Sequence, residues 1–415
     1  MILKKVLIIC PYFPPFNAPD MHRIRMSLPY FKEFGWDARI IKINDRHLEG
    51  VKDIKLLKTI PSDIIIHNVG SLPKTWTSKV GLGSLALRSL WHYKKKVNNL
   101  LKKEKFDLVY FSTTMFPLCI LGAYWKAKFG IPYIIDLQDP WHTDYYEDKP
   151  KILRPKKYWF SYHLNKYLEP IAMKHCDGLI AVSEKYINDL KDRYLNIKYI
   201  PSAVITFGYS DLDYQLADDT KLKKKGAKFL LTYLGVLGSM MNDSMSIFFN
   251  AVSKLSNFDS EFDIVLKGTS YVPGDKTKKG VPFANNYGVF NIEERPERIS
   301  LLTVISEMKS CDGLLIFGTD DSGYTASKIY PYIQSRKPIL AILHPQSSAY
   351  QILKENTSAT VVSLMDDEKT QIKSINVFLS NVKELKPLVV DMNLFEQFSA
   401  KRLTRKQCKL FDQVI

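Results

Sequence analysis

The sequence predicts an α/β protein of two doubly wound, Rossmann-like domains facing a central cleft. Strand-like apolar runs alternate with helix-like amphipathic runs in both halves, the pattern of parallel sheets covered by helices. An aperiodic stretch at 201–226, with Gly208, several Asp and the run Lys223, Lys224, Lys225, separates the halves and reads as a linker. At 415 residues the chain exceeds one ordinary domain.

In the first half, residues 6–10 read as a strand and 22–34 have helical spacing. Residues 37–43 alternate as a strand. Then come 108–112 (strand), 116–129 (helix), 133–137 (strand), a helix ending near His175, 178–181 (strand) and 183–194, a helix with Ser183 at its N-cap. The second half repeats the habit: 229–235 strand, 244–255 helix, 262–266 strand, 301–309 helix, 313–317 strand and 360–364 strand. Between them, 314–343 reads strand, small polar loop, helix, strand, with Ser327 placed as an N-cap and Lys328 in the first turn. A loop of small residues at a helix start suits an anion. Residues 394–414 form a last helical pattern rich in Lys and Arg.

A hydrophobic content of 46% with 25% charged residues fits a soluble globular chain. No run of eighteen apolar residues occurs, so no membrane span is expected. The 6–10 run is too short for a signal-peptide core and meets Pro11, Pro14 and Pro15. Cys10, Cys119, Cys176, Cys311 and Cys408 are scattered without metal-ligand spacing, which predicts buried, reduced thiols and a cytoplasmic protein. The net charge of +16 is uneven: residues 1–200 hold 33 Lys and Arg against 19 Asp and Glu, and residues 201–415 hold 26 against 24. The first half should therefore meet something anionic. Its densest part, 74–105, interleaves Trp76 and Trp91 with lysines, as a helix at an anionic membrane surface would. A solvated helix packed on its own domain fits that stretch as well. No nucleic-acid module is present.

The loops that follow strands carry the unusual residues. After the first strand, Asn17 and Ala18 keep a turn small ahead of Arg23 and Arg25, a combination suited to phosphate or carboxylate. After 133–137, DLQDPWHTD brings Asp136, Asp139, His142 and Asp144 together. Asp139 would orient or deprotonate a hydroxyl, and His142 would share its proton. A metal is not expected there, since further ligands at defined spacing are lacking. In the second half, Gly235 and Gly238 follow a strand and allow a close backbone approach. Lys267, Gly268 and Thr269 end another strand, and Arg295 and Arg298 precede a helix. Together with Lys328 these loops favour a nucleoside diphosphate. No G-x-G-x-x-G is present, so a nicotinamide fingerprint is missing.

The order of these segments resembles family 4 of the retaining glycosyltransferases with the GT-B fold. The resemblance rests on VLIICPYFPP…HRIRMSLPYFKEFGWDARII, DLQDPW, YIPSAVITFGYSD, YTASKIYPYIQSRKPILAI and FSAKRLTRKQCKLFDQVI. It implies an acceptor-binding domain at 1–205, a nucleotide-sugar-binding domain at 206–391, and a helix at about 392–415 that packs back on the first domain. It implies transfer, with retention and without a metal, from a UDP- or GDP-sugar to a saccharide or lipid-linked acceptor. The setting would be envelope or capsular polysaccharide assembly, at the inner face of the plasma membrane. Gly235, Lys267, Gly268, Arg298, Ser327 and Lys328 would surround the donor, and Tyr324 and Thr325 would line its sugar or ribose. Asp139 and Arg23 would face the reaction centre, with Asn17, Arg25 and His142 on the acceptor side. Two glutamates usual in the donor segment are replaced by Gly323 and Pro331. That departure leaves two alternatives open: a nucleotide-sugar 2-epimerase using Asp139 with His142, and a degenerate transferase that only binds.

Overall fold

The computed structural model describes residues 3–77, 83–144, 147, 150–151, 154, 158–217, 228–270, 272, 274–323 and 326–415. The chain divides into two compact units, residues 1–206 with 400–415 and residues 207–399.

The first unit runs β1 (Lys4–Ile9), α1 (His22–Ser27), β2 (Trp36–Ile43), β3 (Ile65–Val69), α2 (Lys74–Thr77), α3 (Leu85–Lys103), β4 (Leu108–Ser112), α4 (Ile120–Phe129), β5 (Tyr133–Leu137), α5 (Tyr158–Met173), β6 (Gly178–Ala181), α6 (Glu184–Arg193) and β7 (Ser202–Val204). Its strands lie in the order β3-β2-β1-β4-β5-β6-β7, all parallel. The central strands β4 and β5 are buried along their whole length, as a sheet covered on both faces requires.

The second unit runs α7 (Asp211–Leu216), β8 (Phe229–Leu234), α8 (Asn242–Ser253), α9 (Phe258–Glu261), β9 (Phe262–Lys267), α10 (Gly280–Asn285), β10 (Ile292–Arg295), α11 (Leu301–Ser310), β11 (Gly313–Phe317), α12 (Ile329–Ser335), β12 (Ile339–Leu343), α13 (Ser348–Asn356), β13 (Thr360–Ser363), α14 (Glu368–Lys383) and α15 (Met392–Phe395). Its order is β10-β9-β8-β11-β12-β13, again all parallel. The chain then returns to the first unit as α16 (Ala400–Val414). There Phe411 packs among Phe31, Trp36 and Tyr110, with ring centroids 6.1, 5.2 and 5.1 Å away. Gln407 donates to Ser27 Oγ at 2.8 Å.

Several elements differ from the sequence reading. The helix expected over 22–34 stops at Ser27, because Pro29 offers no N–H to carry the ladder onward. Over its described part the stretch 201–226 is no uniform linker: it opens with β7, passes the unit boundary at 206 and continues into α7, while 218–226 lie outside the described residues. The helical pattern at 394–414 breaks at Ser399, so residues 392–399 stay with the second unit. All five cysteines are free and buried, and burial pushes Cys176 and Cys311 up to about 12. No helix among the described residues is long and apolar enough to cross a membrane.

Candidate functional site

In a doubly wound sheet, ligands bind outside the carboxyl ends of the strands, where the strand order reverses. That point lies between β8 and β11 in the second unit and between β1 and β4 in the first.

In the second unit, β8 ends at Leu234, and Gly235 follows at φ +130°, a left-handed conformation that favours glycine. The Gly235 N–H donates to Lys267 O at 2.9 Å, and Leu237 N–H to Thr269 O at 3.1 Å, so the loops after β8 and β9 run side by side. Gly268, at φ +70°, lies against Gly235: a Cβ there would meet the Gly235 nitrogen at 4.0 Å. Tyr332, fully buried on α12, accepts from Leu234 N–H at 3.0 Å and fixes the strand end.

Above this glycine floor lies Lys328. Its Nζ sits 3.8 Å from the centre of the Tyr233 ring, and a Cβ at position 235 would come within 2.8 Å of it. The amine is buried and, among the described residues, has no hydrogen-bond partner. Desolvation brings its pKa down to about 7. Tyr233 gives its hydroxyl proton to Val236 O at 2.7 Å, so one side chain both supports the amine and locks the turn. An ammonium facing a π-system and no anion is short of a counter-charge. Phosphate chemistry would supply it.

Other expected donor residues take different places. Lys267 is 7% exposed and its Nζ is 2.6 Å from Glu307 Oε1 on α11, so its charge is neutralised inside the unit. The expectation that it faces a diphosphate is corrected accordingly. Ser327 is exposed and is not the N-cap; Lys328 holds that position, without a side-chain capping bond. Arg298 is half-buried in the loop ahead of α11. Tyr324 and Thr325 lie outside the described residues. Gly323 N–H donates to Asp321 Oδ1 at 2.8 Å. Asp321 therefore puts a carboxylate in the loop where the resembled family usually carries a glutamate, and the sequence reading passed over it. Pro331 stands in the first turn of α12, where a missing N–H costs little.

In the first unit the expected cluster converges only in part: His142 Nε2 lies 3.9 Å from Asp144 Oδ1, while Asp136 takes other partners. Asp136 points inward: its Oδ2 accepts from Tyr110, Ser112 and Gln138 at 3.0, 3.0 and 3.2 Å and lies 2.8 Å from Arg23 Nε. Arg23 also donates to Ile205 O at 2.7 Å and Thr206 O at 3.3 Å, where the chain leaves the unit. These contacts commit its guanidinium to the fold, where the sequence had it facing the reaction centre. Arg25 is corrected likewise. It is 1% exposed, and it donates to His22 Nδ1 at 3.3 Å and Thr59 Oγ1 at 3.1 Å. Asn17 is buried, with Oδ1 3.0 Å from His22 Nε2. Both arginines stand out in the sequence for their charge and their place at a helix start, and both are buried.

His142 turns away from Asp139. Its ring lies 4.8 Å from Tyr162 and its backbone N–H donates to buried Glu169 at 3.0 Å. Burial holds the imidazole below its ordinary value. Asp139 remains exposed after β5, yet desolvation and the nearby Asp20 carboxylate push it up to about 6. Asp20, missed in the sequence, is buried at the β1/β4 switch point. Its Oδ2 accepts from Thr113 Oγ1, Thr114 N–H and Thr114 Oγ1 at 3.2, 3.1 and 3.3 Å. Gln138, next to Asp139, donates to Asp20 O at 3.0 Å. Two acids on adjoining strand-end loops, one fixed and one titrating near neutrality, can hold hydroxyls or pass a proton.

Residues 59–206 match the family model described as Glycosyltransferase Family 4. Comparison with curated protein sequences gives no significant match. Solved structures align along nearly the whole chain. Sucrose-phosphate synthase from Thermosynechococcus elongatus is 10% identical, with TM-score 0.63, over 99% of this chain and 98% of that one. An α,α-trehalose 6-phosphate synthase from Burkholderia multivorans is 12% identical, with TM-score 0.64, over 100% and 99%. The lipopolysaccharide outer core galactosyltransferase WaaB in its apo form is 12% identical, with TM-score 0.58, over 99% and 100%. The fold is therefore the GT-B fold of two Rossmann-like sheets.

Proposed function

We propose that this protein is a retaining glycosyltransferase that moves a sugar from a UDP- or GDP-sugar to an acceptor hydroxyl. One observation carries the reading: the buried amine of Lys328, without a hydrogen-bond partner among the described residues, over a floor of Gly235 and Gly268 at the strand-order reversal of the second unit. A diphosphate is the natural counter-charge, and burial makes that pairing stronger than it would be in water. The site needs no metal for this, since the lysine and backbone amides neutralise the leaving diphosphate. The first unit takes the acceptor, with Asp139 beside Asp20 at its hydroxyl-binding end. The acceptor is a saccharide or a lipid-linked glycan of the cell envelope, approached from the cytoplasmic face. The surplus of cations in the first half, including 74–105, suits an anionic membrane there.

The test is nucleoside diphosphate release from a panel of UDP-, GDP- and dTDP-sugars, with and without acceptors, in the presence of a chelator. Acceptor-dependent release from one donor is expected, and no binding of any of them overturns the reading. Asp139→Asn should lower kcat about a hundredfold and abolish the acid limb near pH 6 of the rate profile. The epimerase alternative would pair Asp139 with His142, and the packing of His142 on Tyr162 supports it less than it supports transfer.

A further inference from the structure

Helix α5 carries apolar side chains on both sides. Its inner side packs on the first-unit core through Leu168, Ala172 and Met173. A solvent-facing side would ordinarily be charged. Here it presents Trp159 (71% exposed), Phe160, Tyr167 (71%) and Ile171. Positions 160, 163, 167 and 171 fall on one stripe of the helix, and Trp159 flanks it with its ring 4.4 Å from that of His163. The stripe extends past the helix end. Asn196 donates to Met173 O at 2.9 Å and Lys174 O at 3.2 Å, which sets the 195–199 turn beside α5. Leu195 and Tyr199 stand out from that turn, 76% and 88% exposed.

Cations flank this face, and an acid lies near its start, where Asp144 Oδ1 accepts from the Tyr162 hydroxyl at 2.7 Å. Lys166, Lys174 and Lys198 are exposed, and Lys198 Nζ lies 5.8 Å from the Tyr199 ring centre. The only acid of α5, Glu169, is buried and held by Arg193 and the Tyr194 hydroxyl. The sequence leading into α5 reads KPKILRPKK over 149–157, five cations and no acid. By contrast, Trp91 is the one large apolar side chain of α3 that is exposed among the described residues. Leu85, Leu90, Leu100 and Leu101 pack on the core. The described helix α3 is thus basic but mostly lacks an apolar outer face.

Trp and Tyr favour the headgroup level of a bilayer, and flanking lysines favour lipid phosphates. We propose that the α5 face and the 195–199 turn dock the first unit on an anionic lipid bilayer. Trp159, Phe160, Tyr167, Leu195 and Tyr199 enter the headgroup region. This deepens the membrane setting proposed above but rests on neither sugar transfer nor the Lys328 site.

The test is sedimentation of the full chain with vesicles of phosphatidylcholine alone or mixed with phosphatidylglycerol, with no sugar nucleotide present. The wild-type chain should bind the mixed vesicles, bind the neutral ones far less, and be released by salt. The variant W159A/F160A/Y167A should bind about tenfold less, while Trp91→Ala changes binding less than twofold. Because the three side chains are exposed, an unchanged unfolding temperature will certify the fold of the variant. Lys166→Glu with Lys174→Glu should remove the preference for anionic vesicles. The proposal is overturned if the wild-type chain ignores mixed vesicles, or if the triple variant binds them unchanged. It is also overturned if the chain forms a dimer that the triple variant abolishes. Donor binding by Lys328 is measured without vesicles, so the two readings fail separately.

Discussion

Lys328 shows how one side chain sets a trade between stability and binding. In water its amine would be charged up to about pH 10.4; in the protein it titrates at about 7. Between these values the unfolded chain binds the extra proton, so this residue adds stability as pH rises through that window and is most destabilising below it. An anionic ligand reverses the preference by stabilising the ammonium. Lys328→Met should therefore raise the unfolding temperature of the free protein, most clearly below pH 7. The same change should weaken nucleoside diphosphate binding by about 1.5–3 kcal/mol. Calorimetry of the wild-type chain should show affinity falling as pH rises above 7, with proton uptake on binding. A pH-independent affinity would remove this lysine from the site. Lys328 was legible in the sequence because it follows a small loop after a strand. Lys267 read just as well by the same logic, but the sequence does not show Glu307 closing on it from another helix.

That ion pair belongs to the scale of elements. It ties the end of β9 to α11, and both side chains are under 10% exposed. Removing one partner leaves a buried charge alone, so Lys267→Met or Glu307→Leu should each cost about 3–5 kcal/mol in urea unfolding. The double substitution should recover most of that loss. If Lys267→Met weakens nucleotide binding more than it weakens the fold, the ion pair opens to the ligand and Lys267 belongs to the site after all. The same scale explains which strands escaped the sequence reading. β3, β7 and β10 are all edge strands. An edge is paired on one side and partly wet, so IIHNV, SAV and IEER need no continuous apolar run. The central strands, buried on both faces, announce themselves as VLII, LVYFS and GLLIF.

For the whole molecule, the decisive feature is that the first unit is built from both ends of the chain. Phe411 of α16 fills a pocket of three aromatic rings from the N-terminal part. Phe411→Ala should cost the first unit about 3–5 kcal/mol, and scanning calorimetry should show its transition lowered while that of residues 207–399 stays in place. One shifted transition for the entire chain would mean that the units melt together. The overall architecture was legible because alternation and charge asymmetry are properties of long stretches. The candidate sites were legible only in part, since which polar residues end up inside depends on partners far away in the sequence. Arg23, for example, closes on Asp136 and on the carbonyls of 205 and 206.

The placement of α16 also dictates an order of events during synthesis. A ribosome releases all of residues 207–399 before the helix that seals the first sheet exists. Until then Trp36 and Tyr110 wait beside an unfilled slot. The second unit has its complete sequence in hand sooner and is free to mature while the earlier-made part stays unfinished. Translation must pass α16 before the N-terminal part can close, so nascent chains stalled ahead of it should expose that aromatic slot to chaperones.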